Sequence, residues 1–193
     1  MGRMDHIAKS PATYDDVLAA PPNMVAELIH GSLYLQPRPA PKHARAYSVL
    51  TRTIGGPFDY DEDGPGGWIV LAEPELHLNE QVLVPDIAGW RRDRMATLPD
   101  APYFDVVPDW CCEILSPSTR NRDLTIKRAI YLAEGVEHLW FVDPEAEVLE
   151  SFRATGEGWF LHGIADGDDT VALAPFEAAP FDLSALWPPK ADR

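Results

Sequence analysis

The sequence predicts an α/β fold, a mixed β-sheet flanked by helices, on three observations. Apolar runs of strand length stand at 68–72, 82–90, 110–115 and 138–143, and runs that continuous belong to strands covered on both faces. Two stretches, 43–54 and the one ending near residue 134, carry apolar residues at helical spacing. Hairpin patterns lie at both ends, at 24–36 and 147–164. The order hairpin, helix, strands, helix, strand, hairpin is that of helices packed on a mixed sheet.

Taken along the chain, residues 1–22 are polar, are punctuated by Pro11, Pro21 and Pro22, and read as an N-terminal arm. The first hairpin is MVAELI, the turn HGS, then LYLQ, with Gly31 free to take positive φ. A proline-rich extended segment, 36–42, leads to a helix over 43–54 whose apolar face is Ala46, Val49, Leu50 and Ile54. Gly55-Gly56-Pro57 is expected to end it. The stretch DYDEDGPGG at 59–67 reads as a solvated acidic loop. Its alternating Asp59, Asp61 and Asp63 resemble calcium-loop ligands, but the closing glutamate of such a loop is missing.

Strands follow at 68–72 and 75–78, then a turn at 79–81. Residues 82–90, VLVPDIAGW, read as one buried strand with a bulge at Pro85. A long connection, 91–109, is broken by Pro99, Pro102 and Pro108. WCCEIL at 110–115 is the next buried strand. Ser116-Pro117-Ser118-Thr119 interrupts it and caps a helix that stops at Gly135. On that helix Asp123, Lys127 and Tyr131 share one face, and Ile126, Ala129, Ile130 and Ala133 form the buried stripe. A strand at 138–143 and a closing hairpin precede an acidic, proline-rich tail at 165–193. In that tail Phe181, Leu183, Leu186 and Trp187 are expected to pack locally.

With 193 residues the chain suits a single domain, with its core at 25–152. The N-terminus holds no apolar run of signal-peptide length and no stretch reaches membrane-spanning length, so no membrane partner is expected. Cys111 and Cys112 are adjacent in a strand and point to opposite faces. They read as small buried residues, and a reducing cytoplasm is the expected compartment. The net charge of −15 is unusual for a nucleic-acid enzyme. Its distribution is uneven: 38–52 contains Arg38, Lys42, Arg45 and Arg52 and no acid, 91–94 reads RRDR, and 120–128 holds four cations against Asp123. Cations are therefore expected near any site built from 86, 113 and 127.

That site is the chemical centre of the sequence. Asp86 and Glu113 are carboxylates inside apolar strands, where an uncompensated charge is costly. A buried salt bridge, such as one between Glu113 and Lys127, answers one of them. A divalent cation answers both and leaves open positions for water and phosphate. Lys127 adds a cation to stabilise developing negative charge. His43 stands at a helix start, where a structural role and a substrate contact are both open. Histidine spacing for a zinc protease, P-loops, dinucleotide-binding glycines and serine-hydrolase elbows are all absent.

The stretches AELIHG, VPDIAGW, EILSPSTRNRD, then Lys127, Tyr131, Gly135-Val136 and LWFVDP resemble the Uma-two family of putative restriction endonucleases, within the PD-(D/E)XK nuclease superfamily. The similarity runs over residues 25–152. Pro85-Asp86 matches the PD and Glu113 the (D/E). The motif lysine would stand at 115, which is Leu115 here, and Lys127 on the following helix fits its role. The resemblance implies a restriction-endonuclease-like core and Mg²⁺-dependent hydrolysis of a phosphodiester bond, with Mn²⁺ as a substitute. It further implies a nucleic-acid substrate, DNA before RNA. It casts Asp86 and Glu113 as metal ligands, Lys127 as the charge stabiliser and aid to water deprotonation, and Glu27 as an accessory acid. Arg120, Arg122, Tyr131 and His43 are then candidate substrate contacts. A homodimer fits enzymes that cut both strands. The competing expectation is a non-catalytic nuclease-like scaffold that binds protein or nucleic acid, which the acidic balance favours; a third is a protein whose acids are purely architectural.

Overall fold

The computed structural model describes residues 11–37 and 39–189. The first ten residues of the expected N-terminal arm, the last four of the tail, and Arg38 of the basic stretch lie outside the described residues.

The first hairpin forms as its turn chemistry dictates. Strands β1 (Val25–Ile29) and β2 (Ser32–Gln36) pair antiparallel, and His30 and Gly31 both take positive φ, 49° and 71°. Before it, a short helix α1 (Tyr14–Leu18) occupies the segment read as a featureless arm. Thr13 and Asp16 close a capping box there, and Val17 packs on Leu28 and Val82.

Helix α2 (Pro41–Phe58) runs one turn beyond its expected end. Gly55 and Gly56 are buried in its last turn, and Pro57 falls so close to the terminus that only one ladder bond is lost. The loop after it is acidic as expected, but Asp59 is turned inward. It accepts the Val70 N–H at 3.1 Å and pairs with Arg92 at 2.7 Å, so it is not a loop-tip cation ligand.

The run 82–90 is two strands, not one. Strand β4 (Leu76–Leu78) turns into β5 (Gln81–Leu83), which joins β1 in a four-stranded sheet of order β2-β1-β5-β4. Strand β6 (Ile87–Arg91) belongs to a second sheet, where it lies between β3 (Trp68–Ala72) and β7 (Trp110–Ile114). Residues 84–86 cross between the sheets. Pro85 cannot donate to a ladder, so the chain changes sheets where it breaks pairing.

Three more strands complete the second sheet. They are β8 (His138–Asp143), β9 (Val148–Thr155) and β10 (Gly158–Asp166), in the order β10-β9-β8-β7-β6-β3. Only β7 and β8 are parallel. A parallel pair needs a helical crossover, and that crossover carries Lys127. It comprises α3 (Arg120–Arg122), a π-helical turn (Asp123–Lys127) and α4 (Arg128–Glu134), and it ends at Gly135 with φ 89°.

The six-stranded sheet is covered on both faces. Ala46, Leu50, Ile54 and Phe58 of α2 pack one face with Trp110 and Trp140. Ile130 and Tyr131 pack the other with Trp90, Cys111 and Phe141. Cys111 and Cys112 fall in opposite cores and are free and buried, as alternation requires. The tail packs on itself, β11 pairing with β12, and also on the α2-side core. Phe176, Leu183, Leu186 and Trp187 join the α2-side core, and Phe176 touches the rings of Trp68, Trp110 and Trp140 at 4.8–5.6 Å. Its last turn, Leu183–Leu186, is 3-10 helical, following β11 (Thr170–Val171) and β12 (Phe181–Asp182). Among the described residues no helix is long and apolar enough to cross a membrane.

Candidate active site

The crossing at 84–86 brings the two sheets against the π turn, and the carboxylates meet there. Glu113 lies in the middle sheet, next to β6, and its neighbour Ile114 donates its backbone N–H to Asp86 Oδ2 at 2.7 Å. That bond holds Asp86 beside β7, where Glu113 itself is buried. Glu27 enters from the other sheet. Its Oε1 accepts the Val84 N–H at 2.9 Å, and its Oε2 accepts Gln36 Nε2 at 2.6 Å.

Lys127 joins them. Its side chain is 1% exposed, with Nζ 2.7 Å from Glu113 Oε1 and 2.9 Å from Glu27 Oε1. A third contact, 3.3 Å, goes to the Val84 carbonyl. Tyr131 donates its hydroxyl to the same Glu113 Oε1 at 2.5 Å. The shared face of 123, 127 and 131 thus leans over the strands and is buried, not solvated. The helix achieves this with a π turn, in which the Arg128 N–H reaches back to the Asp123 carbonyl. Such wide turns recur at functional sites.

A cavity of about 490 Å³ opens above these groups. His43, Glu73, Asp86, Glu113 and Asp123 line its polar side, with Ser116 to Thr119 beside them. His43 Nε2 lies 3.1 Å from Asp86 Oδ1, and its Nδ1 is buried without a hydrogen-bond partner. Sequence reading missed two members. Glu73 follows β3 at φ 46° and donates its N–H to the Asp86 carbonyl; nothing in the stretch LAEPE marks it. Asp123 reads in sequence as an ordinary i,i+4 partner of Lys127, yet it is buried and lines the cavity.

The charges do not balance. Burial pushes the Glu113 carboxyl well above the glutamate range, Lys127 opposes this, and Asp123, Asp86 and Glu27 add to it. Burial also raises Asp123 and Glu73, the second helped by Asp86. For Glu27 burial works upward, but Lys127, the Val84 N–H and Arg122 outweigh it and hold the carboxylate below its usual range. Burial opposes the Lys127 ammonium, and Glu113, Glu27 and Asp123 overturn that, so it stays protonated. Burial lowers His43, and Asp86, Asp123 and Glu73 more than reverse it. Tyr47, buried beside Glu73 and Asp86, is pushed up to about 12.

Five carboxylates therefore share this region with Lys127, Arg122 and His43. Among the described residues no three His, Cys, Asp or Glu side chains form a ready-made metal cage. A magnesium ion does not need one: it keeps several waters and is held by one or two carboxylates plus phosphate oxygens. Asp86 and Glu113, both lining the cavity, fit that mode.

The expected cations are elsewhere. Arg122 reaches Glu27 Oε2 at 3.5 Å and lies over the Tyr34 ring at 4.9 Å, on the Glu27 side of the site. Arg120 pairs with Asp143, Lys42 with Glu145, Arg92 with Asp59, and Arg153 with Glu137. Arg91 and Arg94 both hold Asp109. Of the eleven lysines and arginines among the described residues, these and Lys127 make eight in ion pairs. Arg45 donates to the Ala185 carbonyl, and Arg128 covers the Phe152 ring. None of the eleven lines the cavity. The structure brings Glu27, Asp86, Glu113, Lys127, Tyr131, His43 and Arg122 together and leaves Arg120 outside.

A mixed six-stranded sheet with helices on both faces and a carboxylate–lysine cluster at the crossing defines a restriction-endonuclease-like α/β protein. The chain belongs to the Uma2 family, described as "Putative restriction endonuclease", whose model matches residues 11–184. A crystal structure of "a putative nuclease belonging to DUF820" from Anabaena variabilis ATCC 29413 has the same fold, with TM-score 0.73 and 24% identity over 91% of this chain and 97% of that one. No curated protein matches the chain.

Proposed function

We propose that the protein is a Mg²⁺-dependent endonuclease that hydrolyses phosphodiester bonds in nucleic acid, with DNA as the substrate. One observation carries the reading: Asp86 and Glu113, from a sheet crossing and a strand, line one cavity, and Lys127 of the crossover helix is held 2.7 Å from Glu113 Oε1. Membership of a family described as restriction endonucleases supports it.

Asp86 and Glu113 would hold the cation, which when bound polarises phosphoryl oxygens and acidifies a water. Lys127 is held as an ammonium against Glu113, so it would supply positive charge to the site instead of removing a proton. Tyr131 fixes the Glu113 carboxylate by its hydroxyl. Glu27 positions Lys127, and His43 steadies Asp86 through Nε2. One water is consumed: its oxygen bonds to phosphorus, one ester P–O bond breaks, and the products are a phosphate monoester and a hydroxyl.

The test is cleavage of circular single-stranded DNA and of plasmid, with Mg²⁺ or with chelator. Cleavage should need Mg²⁺ or Mn²⁺, and Asp86→Asn and Lys127→Met should each lower the rate by about 100-fold or more. Equal cleavage by all three proteins would remove the assignment. A non-catalytic scaffold is the second reading, favoured by the way Lys127 already offsets Glu113 and Glu27. No heat of Mg²⁺ binding and no cleavage would select it.

A further inference from the structure

The cavity and the cations around it bear on which form of nucleic acid reaches the carboxylates. Grip on a duplex comes from lysine and arginine neutralising many phosphates along the groove. Here eight of the eleven described lysines and arginines are in ion pairs with the protein's own acids, and none lines the cavity. The chain as a whole carries −15, and the cavity itself presents Glu73, Asp86, Glu113 and Asp123. A polyanion at this cavity would meet these four carboxyl groups.

The cavity is also small. About 490 Å³ is the size of a small-molecule pocket. It accommodates a nucleotide-sized group. Its lining also includes the apolar residues Pro22, Met24, Val25, Pro37, Pro39 and Pro117. An unpaired nucleotide can place its phosphate beside the acids and its sugar and base against the apolar lining. A paired one cannot without leaving its stack, which costs a few kcal/mol.

Resting on the nuclease reading, we propose that the substrate is single-stranded nucleic acid, entered one nucleotide deep, and that its grip comes from the cavity and the cation and not from phosphate contacts along a duplex. The experiment uses the full chain with Mg²⁺ and one labelled oligonucleotide, alone and annealed to its complement, over a range of salt. The strand alone should be cut at least about tenfold more efficiently than the duplex. The logarithm of its kcat/KM should fall with the logarithm of salt at a slope shallower than about −2, since few phosphates are neutralised. Duplex cut as well as or better than single strand, or a slope of −2 or steeper, would overturn the proposal. Hydrolysis of neither substrate would instead sink the nuclease reading on which it rests, so the two failures are distinct.

Discussion

Glu27 and Glu113 face the same ammonium, yet their environments split them. Glu27 collects Lys127, Arg122 and the Val84 N–H and is held low; Glu113 sits in apolar surroundings with three other acids nearby and is pushed up. Their substitutions should therefore diverge. Glu27→Gln removes a satisfied charge from a buried pair and should cost about 3–5 kcal/mol in urea unfolding. Glu113→Gln removes a charge that the site disfavours and should be near neutral or stabilising while abolishing cleavage. The Glu27 contribution also has a pH signature. A carboxylate depressed in the folded state stabilises above the ordinary glutamate range, and that stability is lost as pH falls through its lowered value. Wild-type stability should fall over that acid window, and Glu27→Gln should flatten the fall. If the two glutamine variants cost the same, the charge assignment is wrong. Glu113 was legible in the sequence because a carboxylate between Cys112 and Ile114 breaks an apolar run. Glu73 was not, because a glutamate in a loop beside a proline looks like surface until the sheet crossing places Asp86 beside it.

At the scale of elements the π turn is the device that matters. Asp123 and Lys127 are both buried at the two ends of the turn Asp123–Lys127, which is one residue wider than an α-helix allows. Deleting the exposed Thr125 should close the wide turn to α-helical spacing and change where Asp123 and Lys127 stand relative to each other. Cleavage should drop by about 100-fold or more, a loss typical when a preorganised cation leaves the site, while circular dichroism and the unfolding transition stay cooperative. Retained activity would show that the wide turn has no part in placing Lys127. The sequence pattern showed the shared face of 123, 127 and 131 but not the π turn, since side-chain periodicity over two turns does not separate the two helix types. The split of 82–90 was half legible. Pro85 announced a break in pairing, but which strands take each half depends on contacts far away in sequence, β1 for one and β3 and β7 for the other.

Across the whole molecule the acid excess and the fold are separate matters. Layer order, hairpins and the β7–crossover–β8 unit follow from local patterns, and each was readable. The place of the tail was not: Phe176, Leu183 and Trp187 look like isolated apolar residues in a proline-rich stretch, and only the large gap over Trp110 and Trp140 gives them a core to complete. The cations misled for a similar reason. Arg92, Arg94 and Arg120 cluster in sequence near the site residues, but Asp59, Asp109 and Asp143, which hold them, come from other elements. Four carboxyl groups, Glu73, Asp86, Glu113 and Asp123, are left lining one cavity, and a divalent ion there would offset them. The most direct measurement is anomalous X-ray density from crystals of the intact chain soaked in Mn²⁺. The account predicts one strong peak bridging the carboxylates of Asp86 and Glu113, absent in Asp86→Asn. Density with no manganese between those two side chains, at a concentration that supports cleavage, would contradict it.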